Sequence, residues 1–368
     1  MTTYKTSEWV SPGHSDKVAD FISEYILDRL VERDRNVRYA LECQIKDYHV
    51  SLAGEVTTSA RVDDDDFKEW TRQAINKIGY TAEYAERFKD GSTIIGDKVD
   101  VDLYVSKQSP DIAQGVDRDA WGDQGIFFGY FCRETPRGMG IDYHLARTLG
   151  SYLYYTAKDG NLPIGIDIKT QVTVAIDETG EYEVKEVIVA IPSNPEKITD
   201  RKLRNVVKRH IETYIPVAKD APLIVNGTGA YQIHGPVGDS GTTGRKLVVD
   251  FYGSRGRIGG GSPWTKDPSK ADLTLNIFAY EMAMHGYEDL KNSIQNLHHV
   301  ETELSCCIGK RKVRMFLTAY DENGVPCYSA VEEEEIRPSV LIKKYGLDKP
   351  IFEDLCRTGI FTCVNNKV

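Results

Sequence analysis

A glycine-rich segment in the middle of the sequence, GPVGDSGTTGRK (235–246), ends in an Arg-Lys pair and so carries residue types that bind phosphate groups. It departs from the P-loop pattern, because five residues instead of four separate Gly238 from Gly244. The following residues, KLVVDFYG (246–253), are rich in β-branched and aromatic side chains and predict a strand. The segment alone leaves two interpretations equally open: a ligand-binding loop, or a glycine-rich turn between strands whose basic side chains lie in solvent.

A second glycine-rich segment, GRIGGGSPWTKDPSKAD (256–272), combines three consecutive glycines with lysines and aspartates. Asp267, with a proline after it, predicts a helix N-cap, so Lys266, Lys270 and Asp272 flank the predicted start of a helix. Lysines are unfavourable at that end of the helix dipole, and a bound anion would offset their cost. We favour an anion-binding loop over the alternative, an exposed glycine loop with solvated lysines.

The N-terminal sequence SPGHSDK (11–17) places a histidine, a carboxylate and a lysine beside the predicted start of another helix. Apolar residues recur at helical spacing after this motif, so the helix begins near Ser15. His14, Asp16 and Lys17 would then lie where a phosphate and its magnesium ion are stabilised. The simpler alternative makes Ser15 the N-cap, with Asp16 complementing the helix dipole and His14 in the preceding turn.

Two glutamates share the polar face of a predicted hairpin. The alternation of polar and apolar residues in YALECQIKDYHVSLAGEVTTSA (39–60) predicts two strands joined by a two-residue turn, a register that places Glu42 opposite Ala53. Glu55 is then the diagonal neighbour of Glu42, about 7–8 Å away. The pair forms either an ordinary solvated sheet face or a site for a cation, which is a metal ion or an ammonium group.

The overall composition restricts the class of ligand. The chain of 368 residues has a net charge of −10, which argues against a nucleic-acid partner or an anionic membrane surface, and it has no apolar run that predicts a membrane span. Residues 245–270 are the exception, with six basic and two acidic residues, a local charge of +4 that attracts a small polyanion. Seven cysteines without metal-ligand spacing indicate reduced thiols, and we expect a cytoplasmic protein.

Three hairpins, each followed by a helical pattern, are expected to position these residues. The hairpins are 39–60, 168–191 and 301–324, and the helical patterns are 63–79, 198–215 and 337–347. Hairpins and helices without strand-helix alternation favour an α+β fold of three similar subdomains over a doubly wound sheet. The middle hairpin carries Asp167 and Lys169 on its polar face, where Lys169 is either a phosphate ligand or a solvated lysine. Residues 108–125 lack periodicity and predict a lid or a binding loop.

Six motifs in order along the chain resemble those of the S-adenosylmethionine synthetase family. They are GHSDK, LAGEVTTSA, KQSPDIAQGV, GDQGIFFGY, GPVGDSGTTGRK and GGGSPWTKDPSKAD, and the resemblance runs from about residue 6 to about residue 360. It implies three similar α+β subdomains in a pseudo-threefold arrangement, approximately 1–115, 116–235 and 236–368, with some interleaving. It also implies a homodimer or a dimer of dimers with active sites between subunits.

The same resemblance implies a methionine adenosyltransferase that uses two Mg²⁺ ions per site and K⁺. In the family's reaction the sulfur of L-methionine attacks C5′ of ATP, and the released tripolyphosphate is hydrolysed to pyrophosphate and phosphate. A thioether has no proton to lose, so the first step needs no general base. Catalysis in such a site rests on positioning and on electrostatic stabilisation of the leaving triphosphate.

By this resemblance the site residues divide into sets with separate roles. The residues expected to act on the triphosphate are His14, Lys17, Lys169, Arg245, Lys246 and Lys266. The remaining contacts to ATP are expected from Asp167, Tyr231 (against the adenine), Asp239 and Ser262. Methionine would be held by Glu55, Gln108, Asp123, Asp239 and Lys270, with residues 108–118 as a gating loop. The expected metal ligands are Asp16 and Asp272 for Mg²⁺ and Glu42 for K⁺.

The chain also differs from the family's usual residues. The differences are at Ser15, Ala230, Tyr231, Ile258, Pro263 and Trp264. They bear on the rate and on triphosphate hydrolysis more than on the reaction class. Two rival functions stay open, an ATP or tripolyphosphate hydrolase that no longer uses methionine, and a catalytically inactive nucleotide-binding subunit. The retained methionine-binding set argues against the first rival, and the intact acids and lysines argue against the second.

Overall fold

The structure is a computed structural model that describes residues 2–107 and 119–365. Within these residues the strands form three four-stranded sheets. Sheet A, in the order β1-β6-β7-β8, contains β1 (Thr3–Val10), β6 (Lys169–Ile176), β7 (Tyr182–Ala190) and β8 (Leu223–Val225). Sheet B, in the order β4-β3-β2-β9, contains β2 (Arg38–Lys46), β3 (His49–Thr57), β4 (Asp100–Ser106) and β9 (Gly241–Thr242). Sheet C, in the order β12-β11-β10-β5, contains β5 (Gly125–Cys132), β10 (Leu297–Cys306), β11 (Lys312–Asp321) and β12 (Pro326–Glu335).

The helices pack on these sheets and on one another. They are α1 (Ser15–Arg33), α2 (Asp64–Ile78), α3 (Ala82–Ala85), α4 (Ile141–Lys158), α5 (Asp200–Tyr214), α6 (Leu247–Asp250), α7 (Ala271–Leu290), α8 (Pro338–Tyr345), α9 (Phe352–Thr358) and α10 (Thr362–Asn365). Helix α4 packs on sheet A, α7 packs on sheet C, and α1 packs on sheet B and against α2 and α9. Neighbouring strands are antiparallel except in the pairs β3–β4 and β7–β8. The α+β expectation is confirmed.

Each sheet takes one strand from a distant part of the chain. Strand β1 pairs with β6 in sheet A, β5 pairs with β10 in sheet C, and β9 pairs with β2 in sheet B. The last pairing brings the first glycine-rich segment to the edge of sheet B, where α1 begins. The subdomain boundaries at residues 115 and 235 stay predictions.

The predicted hairpins and the helices after them are confirmed. In the first hairpin the register places Glu42 opposite Ala53 and Ala40 opposite Glu55, as the alternation pattern required. Strand β12, at the edge of sheet C, was not predicted from the sequence. Its residues are exposed almost throughout, so the sequence PCYSAVEEEE lacks the alternation of apolar and polar residues that marks a half-buried strand.

Two local predictions around the glycine-rich segments are wrong. Residues 246–253 do not form a strand, because Leu247–Asp250 is the short helix α6 and the chain turns so that Phe251 and Tyr252 pack into the core. Asp267 is not the N-cap of α7, which begins at Ala271. Instead Asp267 closes the turn before that helix, where its carboxylate accepts the N–H of Ser269 at 3.1 Å.

The described part of the chain contains no helix that is both long and apolar enough to cross a membrane. All seven cysteines are free thiols in the structure. The cytoplasmic location stays a prediction.

We expect Gly129→Ala in β5 to lower the free energy of unfolding by about 1–3 kcal/mol, the usual cost of overpacking a core. A Cβ atom at this position would lie 2.0 Å from the carbonyl oxygen of Ala279 in α7, so the strand and the helix must move apart. Thermal and urea unfolding measure the change. The control is Gly227→Ala, whose added Cβ would meet only Ile224, at 3.5 Å. Equal stabilities of the two variants would contradict the close packing of β5 on α7.

Candidate active site

The N-terminus of α1 is capped by His14, and not by Ser15 as the simpler interpretation required. Nδ1 of His14 accepts the backbone N–H of Asp16 at 3.2 Å. The ring is buried, and burial together with the charges of Lys169 and Lys246 lowers the pKa of His14 to about 3. The imidazole is therefore neutral near pH 7, and because Nδ1 is an acceptor, Nε2 carries the proton.

Asp16 joins α1 to the first glycine-rich segment. Its Oδ1 accepts the N–H of Thr242 at 3.0 Å, and its Oδ2 lies 2.5 Å from Nζ of Lys246. Burial disfavours the charge, but these hydrogen bonds outweigh burial and hold the pKa of Asp16 below its ordinary value. The guanidinium of Arg245, which is largely exposed, lies 3.7 Å from Oδ1. Asp16 is thus an ionised carboxylate beside two cations.

The glycines of the first segment allow it to lie directly on α1. A Cβ atom on Gly241 would lie 2.0 Å from the carbonyl oxygen of Ser15, so β9 passes over the helix with no room for a side chain. Gly244 has a φ of +72°, and its N–H donates to Oδ1 of Asp20 at 2.8 Å. The segment is a loop that docks on a helix, which favours the ligand-binding interpretation over a plain turn between strands.

The second glycine-rich segment lies against the first. Nζ of Lys266 is 2.6 Å from Oδ2 of Asp272 at the start of α7. A Cβ atom on Gly261 would lie 1.8 Å from the other oxygen of Asp272, so a side chain at that position would displace the Asp272 carboxylate. A Cβ atom on Gly244 would lie 3.1 Å from Cβ of Ser262, which places the two segments in contact.

A third part of the candidate site, beside the two glycine-rich segments, comes from the residues at the start of β6. Oδ2 of Asp167 accepts the N–H of Gly235 at 2.9 Å, and its carbonyl oxygen accepts the hydroxyl of Tyr231 at 2.8 Å. Oδ1 of Asp167 is buried and has no hydrogen-bond partner among the described residues. Burial, with the nearby charge of Asp239, raises the pKa of Asp167 to about 6. Lys169 is exposed at the first position of β6, and its charge acts on Asp167 in the opposite direction.

Glu42 on β2 is held by threonines from both glycine-rich segments. Its Oε2 accepts the hydroxyl of Thr243, and its Oε1 accepts the hydroxyl of Thr265 at 3.0 Å. Thr265 has a φ of +73°, a region that β-branched residues avoid. Its N–H donates to Oε1 of Glu24 at 2.6 Å, so two glutamates keep this strained residue in place.

Three of the residues expected to bind methionine, Glu55, Asp123 and Lys270, lie near one another. Burial lowers the pKa of Lys270, and the charges of Glu55 and Asp123 act on it in the opposite direction. A lysine and two carboxylates from three different elements therefore lie within electrostatic reach of one another. Gln108 and the expected gating loop 108–118 lie outside the described residues.

Lys17 is placed differently from the expectation. Its ammonium is buried and donates to Oδ2 of Asp20 at 3.0 Å and to Oδ1 of Asp250 at 2.6 Å. The ammonium of Lys17, which was expected to bind a phosphate, is therefore bonded to two carboxylates inside the protein. On this geometry the ammonium of Lys17 is engaged inside the protein and does not serve as a phosphate ligand.

The sequence interpretation missed a row of four acids that recur at every fourth residue of α1, each of which accepts a backbone N–H from a distant segment. The acids are Asp16, Asp20, Glu24 and Asp28. The donors, in the same order, are Thr242, Gly244, Thr265 and Phe352. Acids at this spacing usually mark the solvated face of a helix, so the pattern is visible in the sequence but its burial is not.

Comparison with known proteins agrees with the motifs along almost the whole chain. The family models of S-adenosylmethionine synthetase match it with their N-terminal domain at residues 2–110, their central domain at 118–231 and their C-terminal domain at 233–367. The chain belongs to the S-adenosylmethionine synthetase family. It is therefore an enzyme of the transferase class, a methionine adenosyltransferase, whose family makes S-adenosylmethionine.

Individual relatives show the same extent of similarity. The S-adenosylmethionine synthase of Clostridium tetani is 33% identical, over 97% of this chain and 93% of the relative. S-adenosylmethionine synthase 1 of Frankia casuarinae is 34% identical, over 97% of this chain and 92% of the relative. A solved structure, described as an unusual S-adenosylmethionine synthetase from Campylobacter jejuni, is similar with a TM-score of 0.81 and 27% identity, over 97% of this chain and 94% of that chain.

The low pKa of His14 predicts a specific pH dependence of stability. Its pKa falls from 6.5 to about 3 on folding, so the unfolded state binds more protons within that window and His14 destabilises the fold as the pH falls. As the pH falls from 6.5 to 5, we expect the free energy of unfolding of the wild-type protein to decrease by up to about 2 kcal/mol more than that of His14→Asn. Asparagine is chosen because it retains a capping side chain. Urea unfolding at both pH values measures this, with the exposed His49→Asn as control. A loss equal to that of wild type would contradict the buried neutral imidazole.

Proposed function

We propose that the chain makes S-adenosylmethionine from ATP and L-methionine where the two glycine-rich segments meet, and that it hydrolyses the released tripolyphosphate to pyrophosphate and phosphate. The observation that carries the proposal is the pairing of Lys246 with Asp16 and of Lys266 with Asp272 on adjoining segments. These pairs collect cations for a triphosphate and carboxylates for its magnesium ions at one place in an acidic protein.

The first step needs positioned charge and no general base. The sulfur of methionine forms a bond to C5′ as the bond from C5′ to the bridging oxygen breaks, so the sulfur becomes a sulfonium and the triphosphate gains negative charge. Neutral His14 retains a proton on Nε2 while Nδ1 is engaged by the backbone, so it can donate to the bridging oxygen. The remaining phosphate oxygens would be held by Lys169, Arg245, Lys246 and Lys266.

Asp16 and Asp272 are the proposed magnesium ligands. Magnesium in phosphate-transfer sites is usually held by one or two carboxylates together with phosphate oxygens, so one acid at the start of α1 and one at the start of α7 fit ions that bind with the triphosphate. Among the residues described, no group of three or more acids, histidines or cysteines forms a cage for a metal ion by itself. When bound, the ions neutralise charge on the triphosphate. Glu42, beside the hydroxyl oxygens of Thr243 and Thr265, offers oxygen donors for K⁺.

The charges around Lys270 suit a zwitterionic amino acid. Glu55 and Asp123 would attract the ammonium group of methionine, and Lys270 would attract its carboxylate. Asp239 would contact both the methionine ammonium and the ribose, between the two halves of the site. On the nucleotide side, the hydroxyl of Tyr231 is bonded to the carbonyl oxygen of Asp167, and its ring would lie against the adenine. Further ATP contacts would come from Asp167 and Ser262, which lie in the same cluster.

We also propose that a homodimer or a dimer of dimers completes the site. Tyr104 on β4 lies in register with Ala53 and Glu42, so it shares the face of sheet B that carries the proposed K⁺ ligand. It is 68% exposed, an unusual position for a large aromatic residue beside a functional carboxylate. A second subunit over this face would cover it. Sedimentation analysis distinguishes a dimer or tetramer from a monomer, and a monomer at assay concentration would contradict the proposal.

Incubation of the purified protein with ATP, L-methionine, Mg²⁺ and K⁺ tests the reaction. We expect S-adenosylmethionine, pyrophosphate and phosphate in equal amounts, measured by mass spectrometry and ion chromatography. Lys246→Met and Lys266→Met should each lower kcat by about 10²–10³-fold, the usual effect of removing one donor that stabilises developing charge. The control is Lys158→Met, because the half-buried ammonium of Lys158 is bonded to the carbonyl oxygen of Lys77 at 2.6 Å.

Each alternative outcome has a distinct meaning. S-adenosylmethionine with accumulating tripolyphosphate would remove the hydrolytic step from the proposal. Phosphate without S-adenosylmethionine would favour a hydrolase, and no reaction would favour an inactive nucleotide-binding subunit. Full product formation by both His14→Ala and Lys266→Ala would contradict the assignment of the site.

A further inference from the structure

The buried ammonium of Lys17 lies outside the proposed chemistry but contacts residues that hold both glycine-rich segments. Besides its bonds to Asp20 and Asp250, it lies 4.8 Å from the centre of the Trp264 ring. Lys17 is 5% exposed and Trp264 is fully buried. Burial disfavours the charge, but the two carboxylates outweigh it and hold the pKa of Lys17 well above its ordinary value. The cation is therefore a permanent part of the interior.

The two acids bonded to Lys17 use their second oxygens to hold the two glycine-rich segments. Oδ1 of Asp20 accepts the N–H of Gly244, directly before the Arg-Lys pair, at 2.8 Å. Oδ2 of Asp250 accepts the indole Nε1–H of Trp264, two residues before the second segment's first lysine, at 2.9 Å. One ammonium thus connects α1, the first segment and the second segment through two carboxylates.

Such a connection bears directly on catalysis by positioned charge. Misplacement of a charged donor by about 1 Å costs on the order of 10²-fold in rate, and donors stay in place only when the residues behind them are fixed. The side chains of Arg245 and Lys246 lie beside Asp16. Their backbone is held on one side by the bond from Gly244 to Asp20 and on the other by the bond from the N–H of Asp250 to the carbonyl oxygen of Lys246. Lys266 has one ion pair of its own and a β-bridge to Ala40. The two residues before it are held by buried acids, Thr265 by Glu24 and Trp264 by Asp250.

We propose that Lys17 is a positioning residue that, with Asp250 and Trp264, fixes the spacing between the two basic segments without contacting the substrate. This inference rests on the proposed function and deepens it, because it assigns a role to a buried residue behind the phosphate-binding side chains. It also gives a role to Trp264, one of the positions at which the chain differs from the family's usual residues. The indole N–H donates a hydrogen bond to the second oxygen of Asp250, which would otherwise be a buried acceptor without a partner.

Trp264→Phe is the decisive variant, because it removes one N–H donor and keeps an aromatic ring under Lys17. We expect kcat to fall about tenfold, KM for ATP to change less than about threefold, and the affinity for magnesium tripolyphosphate to fall about tenfold. Steady-state kinetics and calorimetric titration with tripolyphosphate measure these values. The matched control is Trp70→Phe, since Trp70 is also buried and has a cation, Arg33, 4.8 Å from its ring centre.

Lys17→Met separates positioning from direct contact. Loss of the cation leaves two buried carboxylates, so this variant is expected to be less stable, and its kinetics are used only if circular dichroism shows a native fold. A loss of kcat and of tripolyphosphate affinity in Trp264→Phe supports the proposal whatever the fate of Lys17→Met. Wild-type values in Trp264→Phe would overturn it, and a loss confined to Lys17→Met would show that the lysine contacts the phosphates itself.

The proposed function and this inference can fail separately. If the wild-type protein makes no S-adenosylmethionine, the proposed function fails, and the tripolyphosphate titration of Trp264→Phe against Trp70→Phe then decides the positioning role alone. If the wild-type protein is active and the two variants have equal kcat and equal affinity for tripolyphosphate, only the positioning role fails.

Discussion

The row of buried acids on α1 is the interaction on which the rest of the site depends. Because the acids recur every four residues, they lie on one face of the helix about 6 Å apart, which is four times the rise per residue. Each accepts a backbone N–H of a segment that otherwise has little regular structure. The helix therefore sets the order and the spacing of both glycine-rich segments and of the start of α9. A buried acid without a hydrogen-bond donor is unfavourable, so each of these backbone amides stabilises the acid that it bonds.

This arrangement explains how an acidic protein presents a site for a polyanion. The net charge of −10 repels large anions, while Lys246 and Lys266 are each neutralised by a carboxylate that also suits a magnesium ion. His14 adds a donor without adding a charge, because burial and the neighbouring lysines keep its ring neutral. Thr265, held at a positive φ between Glu24 and Glu42, links the acid row to the sheet that carries the proposed cation site. The same few charged residues thus hold the segments in place and form the site that is proposed for catalysis.

The sequence predicted those features that depend on local pattern. Strand alternation was sufficient for the Glu42–Ala53 register, and helical spacing was sufficient for α1, because both signals lie within one element. Features that depend on distant partners were missed. Lys17 and Asp250 are 233 residues apart, so nothing near Lys17 indicates that its ammonium is buried. The strand prediction for 246–253 failed for the same reason, since contacts of Asp250 with α1 and of Phe251 with the core overrule β-branched propensity.

Hydrogen exchange measured by mass spectrometry, with and without magnesium tripolyphosphate, tests most directly that the two segments on α1 form one polyanion site. We predict slower amide exchange in residues 235–246, in residues 256–270 and at the start of α1, and no change in the basic surface helix α5. The result follows because a triphosphate between Lys246 and Lys266 would hold both segments at once. Slower exchange in α5 instead, or in only one of the two segments, would contradict the account.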